Sequence, residues 1–282
     1  MSESRTRIAA GAALWLLSSV PARAQQAPAA APPAKSAAAT DAAALAKQLS
    51  NPIASLVSVP FQSNWDFGVG PEEKERYLLN FQPVMPFSLD ENWNLIARVI
   101  VPLVSQPPLV AGGEPKFGIS DFVATFFLSP AKPGAFIWGV GPALLLPATS
   151  DPFLGTGRWG AGPGAVVLKQ SGPLTYGALV NHIWSYGGDS TRAEVNTTFL
   201  QPFFAYGTKS GYTITLLSEA TANWEAVSGE QWTVPVFVIL SKVTRLGKRP
   251  ISFAVGPGLY VEKPEGGPRW RLRANLTLLF PR

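Results

Sequence analysis

The stretch Arg269 to Phe280 reads RWRLRANLTLLF, and its side chains alternate between an apolar and a polar set. The apolar set is Trp270, Leu272, Ala274, Leu276, Leu278 and Phe280. The polar set between them is Arg271, Arg273, Asn275 and Thr277. Because successive side chains of a β-strand point to opposite faces, the stretch predicts a strand with one apolar and one polar face.

The same alternation returns about a dozen times along the chain. We expect strands near residues 54–67, 75–88, 93–105, 118–129, 135–147, 158–169, 173–186, 193–207, 211–224, 230–243, 250–262 and 269–280. Abundant glycine (26) and proline (27) agree with a low helix content. About twelve is also an even number, as single-chain bacterial barrels require.

The connections between these segments alternate in length. Short turns are expected at residues 90–92, 131–134, 171–172, 209–211 and 246–249. Longer loops are expected at 68–74, 106–117, 149–157, 187–192, 225–230 and 263–268. This sorting is typical of a transmembrane barrel with short periplasmic turns, longer extracellular loops and both termini in the periplasm.

The N-terminal part of the chain has the features of an exported protein. Residues 1–24 combine a basic start, an apolar run and a small-residue cleavage site ending at Ala24, which predicts a signal peptide. Residues 25–52 are Ala/Pro-rich and predict a periplasmic linker in which Asp41 caps a short helix through Leu49. Residues 53–282 form the predicted barrel domain, and the predicted localisation is the cell outer membrane.

Composition excludes several other classes of protein. The formal charge is +5, and it falls to +3 without residues 1–24, which carry three basic residues and one acidic residue. An excess this small argues against nucleic acid as a partner. The chain has no cysteine, and no carboxylate or histidine cluster has metal-ligand spacing, so neither a metal nor a cofactor is expected.

The fold class that follows is all-β: an antiparallel up-and-down transmembrane β-barrel of about 12 strands (range 10–14). Tryptophans near the strand ends fit the aromatic girdles of such barrels. The girdle candidates are Trp65, Trp93, Trp138, Trp159, Trp184, Trp224, Trp232 and Trp270. Prolines inside the predicted strands conflict with a continuous ladder, and bulges are one way to place them. In 193–207 two rival outward sets stay open: Val195, Phe199 and Phe203, or Leu200, Phe204 and Tyr206.

Charged residues on the inward parity are the candidate functional site. They are Arg76, Arg98, Asp121, Arg158, Glu219, Glu262, Arg271 and Arg273. Two interpretations are open: ion pairs that fill a narrow barrel, or a constriction that selects solutes, since charged rings select in pores. Inward glycines on three strands leave room either for open volume or for a plug such as residues 41–52, unless they only relieve crowding where strands bend.

The single histidine, His182, raises an alternative function. By parity it shares the outward face of Trp184, so it is expected at the lipid headgroup level. A lipid-facing enzyme would need a nucleophile beside it, and only Thr197 and Thr198 on the neighbouring strand are within reach. We therefore expect no catalytic residues and no enzyme activity.

Several segments resemble a family of Gram-negative outer-membrane proteins. They include LSNPIASLVSVPFQ (49–62), NFQPVMPFSL (80–89), WGVGP (138–142), RWGAGP (158–163) and NHIWS (181–185). The family is labelled "transporter" or "neuromedin U" and is grouped with outer-membrane proteins of phenol meta-cleavage gene clusters. The resemblance covers residues 49–282 and implies a barrel for the passage of small, aromatic or hydrophobic compounds. It brings no assigned active site.

The predicted function is a passive outer-membrane channel for small solutes, with a charged and polar lumen. The expected partners are the lipid bilayer, small-molecule solutes and the outer-membrane assembly machinery. The alternatives are a lipid-facing enzyme that uses His182 and a non-conducting structural barrel.

Overall fold

The computed structural model describes residues 34–281. The predicted signal peptide (1–24) and most of the predicted linker therefore lie outside the described residues. The described chain contains one helix, α1 (Ala34–Leu49), and fifteen strands. The strands are β1 (Val57–Val69), β2 (Lys74–Phe81), β3 (Val84–Ser88), β4 (Trp93–Gln106), β5 (Lys116–Ile119), β6 (Phe122–Pro130), β7 (Ile137–Leu146), β8 (Arg158–Ser171), β9 (Leu174–Gly188), β10 (Asn196–Gly207), β11 (Tyr212–Ser218), β12 (Ala220–Asn223), β13 (Trp232–Leu246), β14 (Arg249–Glu262) and β15 (Trp270–Phe280).

These segments form a closed barrel of twelve strands. Three of the twelve are interrupted, and each of these consists of two short segments: β2 with β3, β5 with β6, and β11 with β12. Every strand is antiparallel to its neighbours, and β1 pairs with β15 from Val57↔Phe280 to Phe67↔Trp270, which closes the barrel. The prediction of an all-β antiparallel barrel with about twelve strands is confirmed.

The connections fall at two ends, as predicted. One end of the barrel carries the short turns, together with the start of β1 and the end of β15, and we call it the turn end. We call the opposite end the loop end. One loop contains a short 3-10 turn, Pro152–Leu154, which Asp151 caps by accepting a hydrogen bond from the Phe153 amide. None of the helices in the described part of the chain is long and apolar enough to cross a membrane.

The three interruptions lie at or opposite prolines. Pro83 lies between β2 and β3, directly before Val84; Ser120, between β5 and β6, donates its amide to the Pro102 carbonyl; and Ser218, the last residue of β11, pairs with Val236 beside Pro235. Proline has no N–H to donate to a ladder, so the pairing stops there and resumes a residue or two later. Each break lies beside an inward polar residue, and these are Gln82, Asp121 and Glu219.

The outer surface of the barrel is apolar. On β11, Ile214 and Leu216 are 54% and 50% exposed, whereas Thr213 between Tyr212 and Ile214 is 4% exposed and faces the lumen. The open question in 193–207 is settled by burial: Leu200, Phe204 and Tyr206 point outward, and Phe199 and Phe203 pack inside. No bulge is needed, since β10 keeps one continuous register with β9.

Helix α1 closes the turn end of the lumen. It begins at Ala34, seven residues before the predicted cap at Asp41, because the alanine-rich sequence before Asp41 favours helix strongly. Asp41 instead pairs with Arg245 of β13. The helix lies against β10, β11 and β13 and buries Leu45 and Ala46 beside inward Leu279.

Candidate functional site: the lumen

The interior of the barrel has two chemically different sides. On β6 to β9 the largest buried side chains are apolar: Phe127, Val166, Leu168 and Leu179 form one cluster with Ile96 of β4 and with Ile53, which follows α1. Buried polar residues on the same strands are Thr125, Ser129, Thr175 and Asn181. A second apolar cluster on that side holds Ala143, Leu145 and Ile183. The ion-paired side chains of the lumen lie on the opposite side, on or beside β1, β2, β11 and β15. The paired charges therefore lie on one side of the lumen, and the other side combines apolar residues with small polar ones.

The first charged group, which we call the Asp66 cluster, is centred on a carboxylate with no exposed surface. Asp66 lies opposite Arg76 on β2 and opposite Arg271 on β15, so the strand register itself brings the three charges together. Arg76 donates to Asp66 Oδ2 at 3.0 and 2.7 Å, and Arg271 donates at 2.5 and 2.8 Å. The Tyr260 hydroxyl adds a fifth hydrogen bond at 2.8 Å.

The second group, the Glu219 cluster, lies nearer the turn end. Arg273 binds both oxygens of Glu219, at 2.7 and 2.6 Å, and donates from Nε to Asn64 Oδ1 at 2.8 Å. The paired arginine and carboxylate sit on β15 and beside β11, so this bridge reaches over the intervening strands β13 and β14. On the other side of Asn64, Arg98 donates to Gln82 Oε1 at 2.9 Å.

Gly258 leaves room for an aromatic ring beside the Arg273 side chain. A Cβ added at Gly258 would lie 2.4 Å from the Phe237 ring, so the ring occupies the space that any larger residue would fill. The Arg273 guanidinium then lies 4.1 Å from the Phe237 ring centroid, within cation–π range. Inward glycine therefore serves close packing here, as it does at Gly139, whose Cβ would lie 3.4 Å from Ile53.

The segment after α1 enters the lumen as a plug. Ile53 is 4% exposed within the apolar cluster of β4 to β9, and Leu56 packs with Leu45 and Leu279. Gln170 of β8 donates to the Lys47 carbonyl at 2.8 Å and so holds the helix end. Of the inward glycines, Gly139 contacts this segment, whereas a Cβ at Gly141, Gly160, Gly162, Gly164, Gly256 or Gly258 would meet neighbouring strands. We call residues 41–56, which are the second half of α1 and the segment after it, the plug.

A cavity of about 280 Å³ remains between the plug and the Glu219 cluster. The plug lines it from Ala46 to Leu56, and β1 to β4 and β10 to β15 line it laterally. Its polar lining includes Gln62, Gln82, Arg98, Gln201, Thr213, Thr215, Glu219, Ser241, Ser252, Arg273, Asn275 and Thr277. Together the two clusters carry four arginines and two carboxylates, a formal excess of two positive charges.

Three of the predicted site residues lie apart from these clusters. Asp121 accepts hydrogen bonds from the Thr156 amide (2.6 Å) and hydroxyl (2.7 Å). Arg158 donates to the Arg192 carbonyl at 2.7 Å. Both side chains therefore hold loops at the loop end, and Glu262 is exposed at the same end. Arg76, Arg98, Glu219, Arg271 and Arg273 are the predicted residues that the structure brings together.

Four members of the clusters are not among the predicted site residues: Asn64, Asp66, Gln82 and Tyr260. For β1 the signal was present in the sequence, because Trp65 and Phe67 have one parity and Asn64 and Asp66 the other. The structure places the Trp65 and Phe67 rings 5.4 and 4.1 Å from those of outward Tyr77 and Trp270. Gln82 shares the parity of Arg76, so the alternation puts it on the inward face, but it carries no charge. Within residues 34–281, no group of three or more His, Asp or Glu side chains could hold a metal ion.

His182 lies on the outer surface, as its parity predicts. Its Nδ1 is 2.7 Å from the Thr198 hydroxyl, which also accepts a hydrogen bond from Trp224 Nε1 at 2.9 Å. Its Nε2 is buried without a hydrogen-bond partner among the described residues, and the imidazole lies 3.9 Å from the Trp184 ring. No carboxylate orients the imidazole within this group, so it has the contacts of an aromatic girdle.

Comparison with solved structures identifies the architecture. The COG4313 outer membrane channel from Pseudomonas putida F1 is similar over 80% of this chain and 94% of its own, with 18% identity and a TM-score of 0.60. Outer membrane phospholipase A from Escherichia coli gives a TM-score of 0.47 at 12% identity, covering 79% of this chain and 90% of its own. LpxR from Salmonella typhimurium gives a TM-score of 0.41 at 10% identity, covering 79% of this chain and 100% of its own. The last two similarities are too low to indicate a shared mechanism.

No family model matches the chain, and no curated protein matches it. At 18% identity, the similarity to the Pseudomonas channel shows a shared barrel fold. The narrower resemblance to the "neuromedin U" proteins stays a prediction.

Proposed function

We propose that this chain is an outer-membrane channel that passes small solutes passively, with aromatic or hydrophobic compounds as candidates. The observation that carries the proposal is a cavity of about 280 Å³ inside a closed barrel, bordered by paired charges. The similarity to the Pseudomonas outer membrane channel supports the same function. No enzyme activity is part of the proposal.

The outer-membrane location is supported by the outward side chains. Val238, Leu240 and Val255 are 54%, 48% and 50% exposed in the middle of their strands, which adds to an apolar surface that a soluble monomer rarely shows. A lipid bilayer would cover that surface, and tryptophans lie toward both ends of it. We further propose export by a signal peptide cleaved near Ala24 and insertion by the outer-membrane assembly machinery.

Selectivity in this proposal comes from the two charged clusters. Their excess of positive charge favours anions, because charged side chains at a narrow point set the electrostatic barrier for ions. The plug occupies the turn end, so passage requires that solutes go around residues 41–56 or that these residues move.

Planar-bilayer recording of the chain from Gln25 onward tests the proposal. Discrete conductance steps and a reversal potential that favours anions in a KCl gradient are expected. Arg98→Ala and Glu219→Ala should shift the reversal potential in opposite directions, while Lys248→Gln, in an exposed turn, should not change it. A folded, inserted protein that gives no conductance would instead support the non-conducting structural barrel.

The hydrogen bond between His182 and Thr198 favours a second candidate, a lipid-facing hydrolase. A histidine next to a hydroxyl is the minimum pair for nucleophilic catalysis. Against it, the Thr198 oxygen already accepts a hydrogen bond from Trp224, and no carboxylate holds the imidazole. Phospholipid hydrolysis by the purified protein that is lost in His182→Ala would establish this candidate.

A further inference from the structure

We infer that the cavity between the plug and the Glu219 cluster is a binding site for a small organic monoanion with an apolar body, held by Arg98. The inference rests on the proposed channel function, because it names the class of solute that the same lumen would take. It depends on three features of the cavity: its charge, its walls and its size.

The charge of the cavity is set by three side chains. Arg98, Glu219 and Arg273 are the charged residues that line it. Glu219 and Arg273 neutralise each other through two hydrogen bonds of 2.7 and 2.6 Å, and Arg273 uses a third donor on Asn64. Their charge is therefore compensated within the wall.

Arg98 has no such partner. Its one side-chain hydrogen bond goes to neutral Gln82 at 2.9 Å, and within residues 34–281 no carboxylate lies within ion-pair distance of its guanidinium. Guanidinium has five N–H donors in a planar fork that fits a carboxylate, so most of its donors remain available to a ligand. The net charge of the lining is +1, which fits an anion with a single charge; a second anionic group would meet Glu219.

The walls of the cavity around Arg98 are partly apolar and partly polar. Leu56, Val84, Phe203, Leu217 and Ile239 give apolar contact area. Hydroxyl groups line the side formed by β11 and β13 to β15, and Asn275 there has a buried Oδ1 without a hydrogen-bond partner among the described residues. An apolar body with one anionic group satisfies both kinds of wall, whereas an inorganic anion would leave the apolar wall uncovered.

The size of the cavity limits the ligand. About 280 Å³ equals the volume of roughly nine water molecules, or of one organic molecule with about ten non-hydrogen atoms. Benzoate is of this size and carries one charge, and benzamide has the same shape without the charge. The pair therefore separates recognition of the anion from filling of the cavity.

Isothermal titration calorimetry on the chain from Gln25 onward, in detergent micelles, provides the test. Benzoate is expected to bind at least about tenfold more tightly than benzamide, and Arg98→Gln is expected to weaken benzoate roughly ten- to a hundredfold, the range of a hydrogen bond between charged groups. Lys248→Gln should bind benzoate like the parent chain. Equal affinity for the two probes, absence of benzoate binding, or an unchanged affinity in Arg98→Gln would overturn the inference.

A second variant tests the same site if Arg98→Gln does not fold. Leu217→Trp fills the cavity without changing its charge, and it should abolish benzoate binding while the heat-dependent gel mobility of the folded barrel is kept. Binding retained in a folded Leu217→Trp variant would place the ligand elsewhere and overturn the inference. Conductance without benzoate binding would leave the channel standing and refute the site, whereas binding without conductance would keep the site and refute the channel.

Discussion

The Asp66 cluster gives the sharpest prediction of stability, with Asp66→Asn as the perturbation. This change keeps the shape of the side chain but removes the charge that holds Arg76 and Arg271. The Asp66 side chain is 0% exposed, that of Arg271 is 10% exposed, and that of Arg76 is 28% exposed, so at least one arginine is left buried without a counter-ion. Removal of one partner from a buried pair costs about 3–5 kcal/mol, mainly through the charge that remains.

Urea-driven unfolding in lipid vesicles, followed by tryptophan fluorescence, measures this loss. The control is Glu73→Gln, which breaks the ion pair of Glu73 with Arg269, whose side chains are 56% and 62% exposed. An exposed pair of this kind contributes about 0–1 kcal/mol. If Asp66→Asn and Glu73→Gln lower the free energy of unfolding by the same amount, the reasoning about the buried cluster is refuted.

The other predictions use the same unfolding assay, with bilayer conductance as a second measurement for Ile53→Ala. Gly258→Ala should lower the free energy of unfolding by about 1–3 kcal/mol, because the added Cβ meets an aromatic ring at 2.4 Å. Gly134→Ala, with open space around it, should leave the free energy of unfolding almost unchanged. Ile53→Ala should lower the free energy of unfolding by about 2–5 kcal/mol and raise the bilayer conductance, because the plug is held less firmly. Val227→Ala, on an exposed loop, should change neither the stability nor the conductance. Leu216→Arg should cost about 2–4 kcal/mol as a charge on the lipid face; a neutral result in vesicles would mean that this face does not contact lipid.

The architecture was predictable because a barrel repeats one local rule in every strand. A period of two in β11 and β15 assigns each side chain to a face, and the alternation of turns and loops gives the strand order without any long-range information. The strand breaks were less accessible. They depend on a proline in one strand and the hydrogen-bond demand of its neighbour, as with Pro102 and Ser120.

The clusters were only half predictable for a similar reason. Parity identifies Arg271 and Arg273 as inward, but the identity of their partners depends on the register between strands, which pairs Asp66 with Arg271 and Asn64 with Arg273. The apolar side of the lumen was missed because inward residues such as Leu179 have outward apolar neighbours such as Val180. A run with apolar residues on both faces has no period of two, so the rule that defines the other strands gives no answer there.

The central claim is that each strand turns its apolar face to lipid and its other face to an enclosed interior. Single-cysteine spin labels test it directly, since the chain has no cysteine of its own. Labels placed in turn at residues 212–217 in lipid vesicles should show oxygen collision rates that peak at Tyr212, Ile214 and Leu216 and fall at Thr213, Thr215 and Leu217. Collision rates without this alternation, or a chain that stays in solution without vesicles or detergent, would contradict the account.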